Sequence, residues 1–250
     1  MRGHLQRAIF LAILLGAWAA ASRRVEPWLL PGPGDVASAL LRAARAGLLH
    51  RAVFKSLARL LVGYGVSLTV GVALGIALAR SALVKNTLGA VVLGLQAVPS
   101  VCWLPLALLW FGLSEMAIQV VVVLGSLLSI AVATESAVRA LPPVLLRAAR
   151  TMGARGWFLW RRVVLPAALP GILSGARLGW TFAWRSLLAG ELLYVSGGLG
   201  QLLELGRELG DLALVLAVMA VIVALGLASD HFVFGRLEGR VRRLWGLERA

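Results

Sequence analysis

Two arginines, Arg177 and Arg185, stand inside an otherwise apolar stretch of the chain. A charge in hydrocarbon persists only when it is paired, reaches the headgroups or faces water, so these residues mark a structural pair or the path of an ion. On a helix advancing about 100° per residue, Arg177, Trp180, Thr181, Trp184, Arg185 and Glu191 share an arc of roughly 140°. Gly175, Gly179, Ala183 and Gly190 fall on the opposite side. Such a helix has a small-residue face for packing and a polar, aromatic face for a cavity or dimer interface. Two readings stand for each arginine. Arg177 lines that face or snorkels to the cytoplasmic headgroups. Arg185 offers positive potential to a small anion, or pairs structurally with an acid such as Glu191 or against a tryptophan. Ser100 and Trp103, beside Pro99 in a preceding apolar stretch, are further candidates for the path, while Pro99 and Pro105 are alternatively plain kinks.

Little other chemistry is encoded. No nucleophile–base pair and no His/Asp cluster falls within an apolar span, which argues against an intramembrane enzyme. Cys102 is the single cysteine, so neither a disulfide framework nor a Cys-based metal site is available. His4, His50 and His231 are scattered near span ends. A Gly-x-x-x-x-Gly-Lys-Ser/Thr phosphate loop is absent from the sequence, so this chain does not hold ATP through one.

The elements that must position these residues follow from composition. The chain has 250 residues, 60% hydrophobic and 14% charged, against roughly a quarter charged in a soluble domain. Its net charge of +14 sits at the ends of apolar spans, where it meets lipid headgroups rather than nucleic acid. The spans predicted are 8–22, 60–79, 86–114, 116–134, a fifth from near Pro170 to about Gly190, and 212–229. The first imitates a signal peptide, with Ala19-Ala20-Ala21 as a mock cleavage site, and is read as an uncleaved helix. Gly71 and Gly75 have the small-xxx-small spacing that lets helices approach closely. The 86–114 run contains Pro99, Pro105 and Gly112 and is read as one broken helix. After Leu30-Pro31-Gly32-Pro33-Gly34 an amphipathic helix is expected at about 36–49, with Asp35 as N-cap. The fold class is thus all-α and polytopic, with about six transmembrane helices. It divides into an N-terminal helix and interfacial segment (1–55), a core with five transmembrane helices (56–235) and a basic tail (236–250). With the N-terminus in the cytoplasm, fifteen basic residues lie inside and eight outside, although the basic segment 23–59 argues the other way.

The longest cytoplasmic loop, about 139–169, is the most informative. Arg147-Ala148-Ala149 is followed after three residues by Gly153, and nine residues later by Val163-Val164-Leu165-Pro166. A short helix carrying Ala148 and Ala149 can settle into a cleft on a partner, and Gly153 permits the turn that ends it. Arg150, Arg155, Arg161 and Arg162 supply charge toward a soluble partner or anionic lipid. From charge alone, an ordinary basic loop obeying the positive-inside rule explains the same residues.

The full spacing resembles the EAA loop of permeases of binding-protein-dependent ABC importers, with Arg147 where that family has glutamate. The likeness runs from Leu30 to about Leu244. It includes Ala97-Val98-Pro99-Ser100-Val101-Cys102-Trp103-Leu104-Pro105, Leu109-Trp110-Phe111-Gly112-Leu113, Ala183-Trp184-Arg185-Ser186-Leu187, Gly190-Glu191 and Gly197-Gly198-Leu199-Gly200. It points to the branch that imports aliphatic sulfonates, taurine, nitrate, bicarbonate and some pyrimidine or vitamin precursors. The resemblance implies a type I importer fold in the bacterial inner membrane, a permease homodimer, and two cytoplasmic ATPase subunits that bind the ATP and Mg. It also implies a periplasmic or lipid-anchored binding protein that delivers the solute. Coupling would then fall to Arg147, Ala148, Ala149, Arg150, Thr151, Gly153, Leu165 and Pro166. An ion-coupled secondary transporter is the alternative. It predicts buried acids and an internal repeat, and the sequence offers neither.

Overall fold

A computed structural model describes residues 2–26, 28–193 and 197–244, and every regular element among them is helical. Ser196, the tail beyond Leu244 and the side chains of Arg2, Arg7 and Arg242 lie outside that description. The helices are α1 (Arg2–Ser22), α2 (Pro33–Arg45), α3 (Leu48–Arg80), α4 (Ala82–Gln96) and α5 (Ser100–Phe111). They continue with α6 (Glu115–Arg139), α7 (Pro143–Thr151), α8 (Gly156–Leu193), α9 (Leu199–Glu208) and α10 (Leu212–Val241). Four of them, α3, α6, α8 and α10, are long and apolar enough to cross a membrane. The pair α4 and α5, bent by 99°, makes a fifth candidate, and α1 carries a shorter apolar run, Ile9–Ser22.

Proline placement explains the breaks. Pro99 has no N–H and forces the residue before it toward extended backbone, so the helix stops and restarts at Ser100. Pro105 falls in the first α-helical turn after the break, where a missing N–H costs nothing. Against expectation, Pro170 does not open the fifth span: α8 starts at Gly156 and runs through both Pro166 and Pro170. A π turn over Trp160–Val164, in which the Leu165 amide reaches back to the Trp160 carbonyl, loosens the helix just before Pro166. Asp35 also departs from expectation. Gly32 is the N-cap of α2, and Asp35 sits three residues on, where its Oδ2 accepts the Gly32 N–H at 2.9 Å.

Residues 58–190 and 226–250 form one compact unit, and α6 is its axis. In α8, Gly171 and Gly175 lie so close to Ala137 and Ala133 of α6 that an added Cβ would come within 2.6 and 2.5 Å of theirs. Farther along, Gly190 faces Ile118. The contacts descend α6 as they climb α8, so the two helices are antiparallel, joined by the small-residue face predicted from the sequence. Gly63, Gly71 and Gly75 of α3 meet Val122, Leu127 and Ala131 of α6 in rising order, which makes that pair parallel. Both ends of α6 carry ion pairs. Arg59 Nε donates to Glu115 at 2.6 Å. At the other end Glu135 accepts Lys85 at 3.2 Å and Arg139 at 2.9 Å, and Arg80 lies over the Trp160 ring.

Residues 1–57 and 191–225 form the second compact unit. Here α2 buries Val36 and Ala39 against Ala217 of α10, its i, i+3 apolar stripe doing what amphipathic spacing predicts.

Candidate functional site

The EAA-like segment folds as α7 and the first turns of α8. Gly153 takes φ +89°. Its amide donates to Arg150 O at 3.1 Å, and Ala154 N donates to Ala149 O at 2.9 Å. This is a Schellman ending, which only a residue tolerant of positive φ completes without strain. The same ending folds Ala154 against Ala149, and both are buried in a cluster with Val138, Leu159, Val164, Ala168 and Ile172. Ala149, expected to meet a partner, therefore faces the protein's own core. Arg147, Ala148, Arg150 and Thr151 remain exposed, and Thr151 Oγ1 is tied to Ala148 O at 2.7 Å. Leu165 and Pro166 are half-buried within α8 rather than in a loop.

A feature the spacing did not reveal is the apolar surface around this turn. Met152 is 87% exposed, Val144 68%, Trp157 66% and Phe158 59%. Four large apolar side chains are thus offered outward beside exposed arginines. The sequence signal was there: Trp157 and Phe158 stand beside Arg155 in an otherwise basic stretch.

The candidate path residues divide. Ser100 and Arg185 line one cleft of about 330 Å³, together with Gln96, Gly125, Ser129 and Phe182. Arg185 is exposed, has no carboxylate partner among the described residues, and stands 5.9 Å from the Phe182 ring, not from a tryptophan. Trp103 is instead packed against the Leu104, Ala107, Ala117 and Val121 core. Trp180 meets Tyr64, Trp184 and Phe234 edge-on or tilted at 5.0–6.4 Å, and its Nε1 donates to Ser229 Oγ at 3.0 Å. Trp184 is buried in that aromatic group, and Thr181 Oγ1 bonds its own helix at Arg177 O. Arg177 makes a two-pronged pair with Asp230 at 2.5 and 2.6 Å and reaches Glu238 at 3.2 Å. Its charge is matched within the fold, because α10 continues past Ser229 through a π turn that brings both acids round to α8.

Glu191 fastens α8 to neighbouring segments. It is fully buried. Ser56 Oγ donates to its carboxylate at 2.7–2.8 Å, and Gly200 N donates at 2.9 Å. The Ser56 oxygen in turn accepts Leu199 N at 2.8 Å. A carboxylate so placed satisfies the free amides at the start of α9 and complements its dipole. Gly198 is glycine because any Cβ there would collide with the Glu191 carboxylate. Gly198→Ala is thus expected to cost about 2 kcal/mol, the scale of a buried carboxylate losing bonds, and to lower the melting midpoint by roughly 4–8 °C. Gly94→Ala, with open space around it, serves as control. Equal midpoints in thermal unfolding would refute the fastening.

Comparison with known proteins bears on the whole assembly. Residues 71–243 match the family described as the binding-protein-dependent transport system inner membrane component. That match spans both α7 and the cleft. The chain belongs to this family. It is 33% identical to the taurine transport system permease protein TauC of Escherichia coli, over 85% of this chain and 80% of that one. It is 32% identical to the riboflavin transport system permease protein RibX of Chloroflexus aurantiacus, over 92% and 86%. In structure it is similar to an inward-facing MetNI methionine ABC transporter, with a TM-score of 0.67 and 26% identity over 78% of this chain and 96% of that chain. The protein is accordingly the permease subunit of an ABC importer, a multi-pass membrane protein that does no catalysis itself. The Arg147–Pro166 segment lies within the matched residues, and the ion-coupled secondary transporter falls away as a reading.

Proposed function

We propose that this permease imports a small organic or inorganic anion, such as a sulfonate, nitrate or bicarbonate, or the sulfonate zwitterion taurine, by alternating access driven at the α7 turn. The observation that carries the coupling half is the exposed apolar surface of Val144, Met152, Trp157 and Phe158 on a turn whose underside is locked into the core. A cytoplasmic ATPase subunit, holding the ATP and Mg, docks on that surface through Ala148, Met152, Thr151 and the basic neighbours Arg147 and Arg150. Ala149, Gly153, Leu165 and Pro166 seat the turn, so closure of the ATPase moves α6 and α8 as one body. Two permease copies pair with two such ATPases, and a periplasmic or lipid-anchored binding protein delivers the solute from the other side.

Orientation follows from the same end of the bundle. Arg80, Lys85, Arg139 and the α7 turn gather at one end of α6, and the positive-inside rule supports a cytoplasmic setting for that end. The same rule supports the cytoplasmic side for the N-terminus and the basic tail. Taurine, the solute in the name of one relative, supplies the first assay. Proteoliposomes carrying this chain, a P-loop ATPase and a taurine-binding protein should accumulate taurine only with ATP. Met152→Asp together with Trp157→Asp should reduce ATPase co-purification about tenfold or more, since desolvated apolar anchors dominate such contacts. Undiminished co-purification would remove the docking assignment.

A further inference from the structure

Arg185 poses a problem that lipid cannot solve. An added Cβ on Gly125 would collide with Ser186, so residues 185–186 of α8 lie level with Gly125 of α6. Gly125 is ten residues from Glu115, where α6 begins, or about 15 Å at 1.5 Å per residue. This is half of a hydrocarbon core of about 30 Å. Arg185 is therefore near mid-depth, exposed on its helix, and matched by no carboxylate among the described residues. A guanidinium at that depth faces a wet cavity or a counter-charge. Arg177, the neighbouring charge on the same helix, shows the contrast: its pair with Asp230 and Glu238 is internal.

The surroundings define what the counter-charge is. The cleft beside Arg185 is about 330 Å³ and offers the Gln96 amide and the Ser100 and Ser129 hydroxyls, with Phe182 and leucines completing the wall. The break at Pro99 opens it, because α4 and α5 diverge there by 99°. We propose that this cleft is an anion station inside the membrane, holding a monovalent oxyanion, a sulfonate or carboxylate headgroup on a small body, against Arg185. One guanidinium with neutral hydrogen-bond donors neutralises a single charge. A dianion would keep one charge uncompensated in a low-dielectric site, which is costly. The proposal rests on the permease reading and extends it by locating where the solute's charge is held midway.

The test reads the electrostatics of the cleft directly and needs no knowledge of the physiological solute. In the assembled transporter in nanodiscs, the exposed Cys102 is replaced by serine, and Val98, which lines the cleft and is exposed, by cysteine. Rates of modification are compared for an anionic sulfonatoethyl and a cationic trimethylammonioethyl methanethiosulfonate. The anionic reagent should be favoured. Arg185→Gln should reduce the anion-to-cation rate ratio about tenfold, within the range by which a charged cleft concentrates counter-ions, while Arg185→Lys should retain most of it. Millimolar ethanesulfonate should slow labelling, and equal choline should not. Val98→Cys inert to both reagents would mean a dry cleft, and an unchanged ratio in Arg185→Gln would mean that Arg185 serves another contact, such as a second copy of the chain. Either overturns the station. Neither touches the permease reading, which stands or falls on ATP-driven uptake and ATPase co-purification.

Discussion

Gly153→Val inserts and folds its helices but loses ATP-driven uptake by about tenfold or more. The physical reason is local. At φ +89° a residue with a Cβ meets its own backbone, at a cost of about 1–2 kcal/mol, and β-branching adds to it. Nothing else lies within 4 Å of an added Cβ, so the penalty is conformational, not a clash with neighbours. The cheapest relief is to unmake the Schellman ending, which frees Ala154 from Ala149 and swings Trp157 and Phe158 away from the α7 surface. The spans keep their close glycine contacts, because those are made farther along α3, α6 and α8. The result to measure is basal membrane insertion alongside ATPase co-purification and uptake. Gly153→Asn, a residue that tolerates positive φ better, should recover a substantial part. Equal loss in both variants would show that the space at 153, and not its backbone, is what matters.

Removing Arg177 is expected to have the second large effect, on stability instead of coupling. Arg177→Leu leaves Asp230 and Glu238 without their cation. Losing hydrogen bonds to charged groups costs about 1.5–3 kcal/mol, a sizeable part of an ordinary folding margin. Most Arg177→Leu protein should be lost on mild heating in detergent, read by size-exclusion of the surviving fraction. Adding Asp230→Asn and Glu238→Gln should restore much of it, since neutral partners no longer need the guanidinium. A triple variant no better than the single would show that Arg177 acts elsewhere. Because the triad is closed on itself, its loss should leave the labelling ratio at the Arg185 cleft unchanged in whatever protein survives.

The two arginines show how far a linear reading goes. Their spacing marked both as charges in a span and drew one polar arc through Arg177, Trp180, Trp184, Arg185 and Glu191. The helical wheel is correct as geometry but blind to neighbours. The arc is divided among different partners: acids on α10 for Arg177, Tyr64 and Phe234 for Trp180, a cleft beside the Pro99 break for Arg185. Glu191 belongs to a fourth setting, because Ser56, 135 positions away, returns to its carboxylate. No periodicity within α8 carries that information.

What the chain determines by itself is whatever depends on local chemistry. Apolar runs of membrane-spanning length, the glycine face of α8, the break at Pro99 and the loop spacing from Arg147 to Pro166 are all legible, because each follows from backbone geometry or from the solvent a residue tolerates. Tertiary structure decides which side of α7 faces outward. Ala148 and Ala149 are identical in type and adjacent in sequence, yet one is exposed and the other is packed among Val138, Leu159 and Ile172. It also decides that Pro166 and Pro170 ride within a helix, since a π turn upstream absorbs the first. Charge placement is settled last, because a buried or membrane-embedded charge is defined by the groups it meets, and for Arg177, Arg185 and Glu191 those groups arrive from distant parts of the chain.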